Sequence, residues 1–210
     1  MAGDKPWQRG SRGRRRDTQP RRRVLIVCED EKSARFYFES FPIDRTRAEV
    51  IAVGTGMNTD SLVEHAIGLV NRAERDGVPY GDVWCVFDRD SFPESNFARA
   101  FELARAHRMH VAWSNEAFEL WYLLHFNYHD TAIPRHEYAR KLAPYFLYDK
   151  ADRSIYERLK DHQPAALRNA QRLERYWSEM EEPRPERNNP STRVHRLVEF
   201  LNDLADLGPT

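Results

Sequence analysis

Four short apolar runs, about 25 residues apart and separated by segments of helical periodicity, limit what this chain can fold into. They are Arg23-Val-Leu-Ile-Val-Cys28, Glu49–Val53, Asp82-Val-Trp-Cys-Val-Phe-Asp88 and Met109–Trp113. Runs without polar alternation suit strands buried on both faces, as in parallel sheets. The intervening segments carry apolar stripes at three- and four-residue spacing. Ala34, Tyr37, Phe38 and Phe41 form one such stripe, ended by Pro42, and Leu62, Val63, Ala66, Ile67 and Val70 form another. Pro93 opens a third helix running to about His107. A βαβ series of this kind, closed by right-handed crossovers, gives an α/β fold with helices on both faces of a parallel sheet of about four strands.

After Ser114 the strand signals fade, and helical patterns are expected near 116–126, 135–143, 152–160, 164–180 and 190–206. Asn189-Pro190-Ser191-Thr192 looks like the N-cap region of the last helix. The expected division is a disordered basic arm over 1–21, an α/β domain over 22–128 and a helical C-terminal region over 129–210.

The formal net charge is zero, but it is unevenly placed. Residues 1–23 hold nine Lys and Arg, among them Arg14, Arg15, Arg16, Arg21 and Arg22, against Asp4 and Asp17. That +7 arm is balanced by −7 on the remainder, an arrangement suited to phosphate attraction or to a solubilising leader. No stretch reaches the ~20 apolar residues of a membrane span, so no membrane partner is expected. The first apolar run is also too short for a secretory signal. Cys28 and Cys85 both lie in strand-like runs, which argues against a disulfide framework and for a cytoplasmic setting.

Chemistry in open parallel sheets gathers at the carboxyl ends of the strands. Here two of those ends are acidic: strand one runs into Glu29-Asp30-Glu31, and strand three into Asp88-Arg89-Asp90. Asp88 and Asp90 share a side of an extended segment, and neighbouring strands would bring Glu29 within ~5 Å laterally. Carboxylates so placed repel one another, and a hard divalent cation such as Mg2+ or Mn2+ relieves that repulsion through all-oxygen ligation. Asp30 and Glu31 can equally cap the first helix. The helix 116–126 has no polar face, so Glu119 and His125 within it need buried partners: a site role or a structural bond for Glu119, and a backbone bond for His125. Gly54-Thr55-Gly56 is either a plain turn or a backbone cradle for phosphate, without the Lys-Ser/Thr of an NTPase loop.

An apolar strand ending in Glu, with Asp-x-Asp two strands later, resembles the Toprim domain of topoisomerases, primases and related nucleases. More narrowly, five stretches resemble the RloB family, a Toprim-related group associated with bacterial abortive infection. They are Val24–Lys32, Gly54–Thr59, Val83–Asp90, Trp113–Phe126 and Asn189–Val198. The resemblance implies a Toprim-like sheet and metal-binding acids at Glu29, Asp88 and Asp90, with Glu31 and Glu119 as accessories. It also implies a Mg2+-dependent nuclease acting on DNA or RNA in antiviral defence, together with an ATPase partner. Lys32 and Arg89 are then the expected phosphate-holding residues. Asp30 stands where the family usually has Gly, and Ala34 where an acid is expected. Two other functions fit the acidic strand ends: a receiver-like phosphoacceptor, which should also have a fifth strand ending in Lys, and a non-catalytic regulatory partner of the ATPase.

Overall fold

The computed structural model describes residues 21–46, 48–89, 93–180 and 184–206. Arg14, Arg15, Arg16 and Asp90 therefore lie outside the described residues. Strands β1 (Arg22–Cys28), β2 (Ala48–Gly54), β3 (Asp82–Asp88) and β4 (His110–Asn115) pair in parallel in the order β2-β1-β3-β4. The register sets Val24 against Asp82 and Cys28 against Val86, so the first and third strands are direct neighbours. Helices α1 (Ser33–Glu39), α2 (Thr59–Arg75) and α3 (Glu94–Ala106) link the four strands.

Both faces of the sheet are covered, which is why its strands read as unbroken apolar runs. Leu25, Val27, Cys85, Phe87 and Trp113 pack with Leu62 and Val63 of α2 and Phe97 of α3. Val24, Ile26, Trp84, Val86 and Ala112 belong to the larger second core. Into that core come α1, α4 (Glu119–Leu124), α5 (Tyr138–Leu142), α6 (Ile155–Leu159), α7 (Gln163–Ser178) and α8 (Val194–Asp206). Tyr37 sits at its aromatic centre, with ring centroids 6.4 Å from Trp121, 6.0 Å from Tyr122 and 5.5 Å from Tyr156.

Three local expectations change. Ser191–Thr192 is not only a cap: it forms β5, antiparallel to the end of β4, and makes a fifth strand. Two residues carry no periodicity, so only the pairing of Ser114 with Thr192 reveals the strand. Thr192 keeps a share of the capping role, since its Oγ1 accepts from the Val194 N–H at 3.2 Å. The first helix starts only at Ser33, and of the two acids that could cap it Asp30 leads the chain in, its Oδ1 accepting the N–H groups of Lys32 (2.5 Å) and Ser33 (2.8 Å). The regular part of the aromatic helix is also shorter, beginning at Glu119.

Candidate functional site

Strand parity determines where the third strand's acid points. Asp88 follows Trp84 and Val86, so its carboxylate faces the layer holding α4 and the C-terminal helices. One strand over, β1 ends at Cys28 and the chain turns. Glu29 Oε2 then accepts the Asp88 backbone N–H at 3.0 Å, while the Glu29 N–H donates to the Val86 carbonyl at 2.8 Å. The two expected acids are thus locked side by side. Glu119 joins them from the first turn of α4, only 9% exposed, with the Tyr148 hydroxyl donating to its Oε1. Burial pushes the Asp88 carboxyl well above the usual range; Arg135 opposes this, and Glu119 and Glu29 add to it.

Glu29 and Asp88 open on a cavity of about 370 Å3. Glu31 and Lys32 line it as expected. Gly56 is needed there: it has φ +64°, and a Cβ on it would lie 3.3 Å from Glu31 Oε1. Gly54 allows a still closer approach, because its Cβ would meet Glu31 Cα at 2.4 Å. The Gly-Thr-Gly turn therefore seats the acidic loop. Asp30, the departure from the family pattern, pairs with Lys150, and Ala34 is buried in the core.

Apart from Lys32, the cations of the site differ from the expected ones. Arg89 turns away, its Nε donating to the Glu186 carbonyl at 3.0 Å. Arg21 and Arg22 lie at the opposite end of β1, Arg21 reaching the Ala48 carbonyl and Arg22 pairing with Asp82 at 2.7 Å. A seven-residue strand at ~3.3 Å per residue puts them roughly 20 Å from Glu29. In their place come two residues that sequence reading missed, Arg135 and Lys150 of the C-terminal region. Arg135 Nη2 donates to Asp88 Oδ2 at 2.8 Å. Neither lies near a strand end in the sequence, and only the fold of residues 129–150 over the sheet edge places them there.

As a donor set, adjacent carboxylates in a polar, open cavity suit a hard divalent cation. In the present arrangement Glu29 is turned to a backbone amide, Glu119 to Tyr148 and Asp88 to Arg135. Among the described residues, no three His, Cys, Asp or Glu side chains converge as a ready ion cage. Glu29 and Asp88 would hold the ion, with Arg135 giving up its place on Asp88. His195 and the buried His125 are not part of this site; His125 Nδ1 lies 2.9 Å from the Trp121 carbonyl, the expected backbone bond.

The Glu119–Tyr148 bond gives a direct test. Glu119→Ala should cost about 1–3 kcal/mol, the range for removing one partner of a buried polar pair. Glu119→Gln should cost less, since the amide oxygen still accepts from Tyr148. Urea denaturation midpoints of the two variants measure the difference, and equal midpoints for both variants and the parent would remove the structural role.

No helix among the described residues is long and apolar enough to cross a membrane. The cysteines are free and buried. Comparison with curated proteins and with solved structures gives no match. The model of the RloB-like protein family matches residues 24–201, nearly all of the chain beyond the basic arm. By that match, and with the acidic strand ends and the parallel sheet that carries them, the chain belongs to the RloB-like family.

Proposed function

We propose that this protein is a Mg2+- or Mn2+-dependent nuclease of Toprim type, cutting nucleic-acid phosphodiesters in a cytoplasmic antiviral defence role. The observation that carries the reading is the contact of Glu29 with Asp88 at the carboxyl edge of β1 and β3, where burial and the charges of Glu119 and Glu29 raise the Asp88 carboxyl. A bound divalent ion would supply charge stabilisation at phosphate and an activated water. The chain's own contribution is to fix Glu29 against the Asp88 amide, to hold Asp88 in a half-dry wall, and to bring Lys32, Lys150 and Arg135 within reach of phosphate oxygens. Asp90 is included as a further metal-binding acid from the sequence pattern.

One observation favours a second reading. The Arg135–Asp88 ion pair already compensates the acid, as a structural site in a non-catalytic partner of a defence ATPase would require. Incubation with DNA and with total RNA, with and without Mg2+ or Mn2+, separates the two. Cleavage by the parent and none by Asp88→Asn is expected. Absence of cleavage by the parent with either ion on either substrate would reject the nuclease in favour of the regulatory partner.

A further inference from the structure

The loop carrying β5 builds a second cavity, of about 400 Å3, beyond the outer edge of β4. Its walls include Arg175 and Trp177 of α7, Thr192 of β5, and Arg193 and Arg196 at the start of α8. Glu174 is the one acid among the lining residues. It is shared three ways: Arg193 Nε reaches Oε1 at 3.0 Å, while Arg196 Nη2 (2.9 Å) and His195 Nε2 (3.0 Å) both meet Oε2. With Arg175 added, three guanidinium groups face one carboxylate, an excess of +2 among these four groups. Among the described residues no carboxylate pairs with Arg175, which is exposed.

Anchoring of Arg193 and Arg196 by Glu174 has a second effect. Each is fixed through one nitrogen of its fork, leaving others to donate. Pre-set guanidinium forks are the side chains best matched to phosphate oxygens. The position is also informative. Thr192 Oγ1 lies 3.0 Å from Ser114 Oγ, and Ser114 is in register with Asp88. Two strand spacings, ~10 Å, therefore separate Asp88 from the cavity wall, close enough for neighbouring nucleotides of one strand to reach both.

We propose that this cavity is a second phosphate site, holding the nucleic-acid backbone on one flank of the acidic pocket. The identity of the ligand rests on the nuclease reading, and metal-free binding tests it separately from cleavage. Full-length protein without metal is titrated into short labelled single-stranded RNA and DNA at several salt concentrations. Arg175→Glu and the milder Arg175→Ala are compared with Arg72→Glu, an equal charge change on exposed α2. Arg175→Glu should weaken binding about ten-fold, and Arg175→Ala less. Removing the one contact should make the log–log salt slope about 0.7 shallower. In the Asp88→Asn background, which should fail to cut, the same Arg175 substitutions should still weaken metal-free binding.

Unchanged affinity in both Arg175 variants, or an equal loss in Arg72→Glu, would overturn the site. A mononucleotide or inorganic phosphate that competes as well as the oligonucleotide would show a free-phosphate pocket and overturn the backbone assignment. If the parent cuts nothing with metal while the Arg175 difference persists, the nuclease reading fails and the binding site stands.

Discussion

Asp88→Asn is expected to abolish metal-dependent cleavage while leaving the metal-free protein as stable as the parent or slightly more so. The second half follows from the environment of the carboxylate. Burial and the neighbouring Glu119 and Glu29 disfavour its ionised form more than Arg135 favours it. A carboxyl raised in the folded state binds its proton more tightly there than in the unfolded chain. Its stabilising effect is thus fully present at low pH and declines as pH rises from the unfolded value near 4 towards the folded one. The amide introduced by Asp88→Asn does not titrate, so the variant's advantage should grow with pH above about 4 and vanish below it. The first half follows from ligand loss: Glu29 and Asp88 are the two acids that would hold the ion, and a neutral amide oxygen is a weaker ligand than a carboxylate for a hard divalent cation. Melting curves with and without millimolar Mg2+ test both at once. The parent should gain melting temperature with the ion, through binding to the native state only, and the variant should gain much less. A purely structural Arg135–Asp88 pair makes the opposite forecast: a loss of about 1.5–3 kcal/mol without metal, as for hydrogen bonds to charged groups, and no ion-dependent gain in either protein.

Glu29 and Asp88 were legible because sheet chemistry is local to strand ends. An apolar run followed directly by an acid states both the strand and what stands at its edge. The neighbour relation of β1 and β3 was only a condition of that reading, and the strand order β2-β1-β3-β4 supplies it. Glu119 was legible for a different reason, as a charge inside a helix with no polar face, which has to find a partner; which partner was not readable, since Tyr148 lies 29 residues on. Arg135, Lys150 and β5 left no such mark. Arg135 sits in an ordinary polar stretch after Pro134, and its contact with Asp88 spans 47 residues. Arg89 shows the converse. Its place between two acids suggested phosphate binding, yet the side chain stabilises the 184–189 loop by donating to the Glu186 carbonyl. Adjacency in sequence says which edge a residue occupies, and the direction of a long side chain is decided by what packs above that edge.

Glu174→Gln should be among the more destabilising single changes on the surface of this protein, by about 2–3 kcal/mol at neutral pH. The side chain is only 18% exposed and joins α7 to the first turn of α8. The His195 hydrogen bond is the largest influence on its carboxyl; burial opposes it, and the charges of His195, Arg193 and Arg196 add to it. Together they lower it from 4.5 to about 2. Each unit is worth ~1.4 kcal/mol, and the partial exposure trims the total slightly. The sign is that of a depressed acid: the stabilisation is complete above about pH 4.5 and is lost as pH falls through about 2. In the Glu174→Gln variant the acceptor oxygen remains but the charge does not, so Arg193 and Arg196 repel across the cavity with no counter-ion between them. For a domain of this size the loss corresponds to a melting temperature lower by roughly 5–10 °C. Melting temperatures of parent and variant from pH 7 down to 2 should differ by that amount at the start, converge below about 4.5 and meet near 2. A difference that stays constant over the whole range would mean that Glu174 acts through packing, and its charge would then have no part in holding α8 to α7.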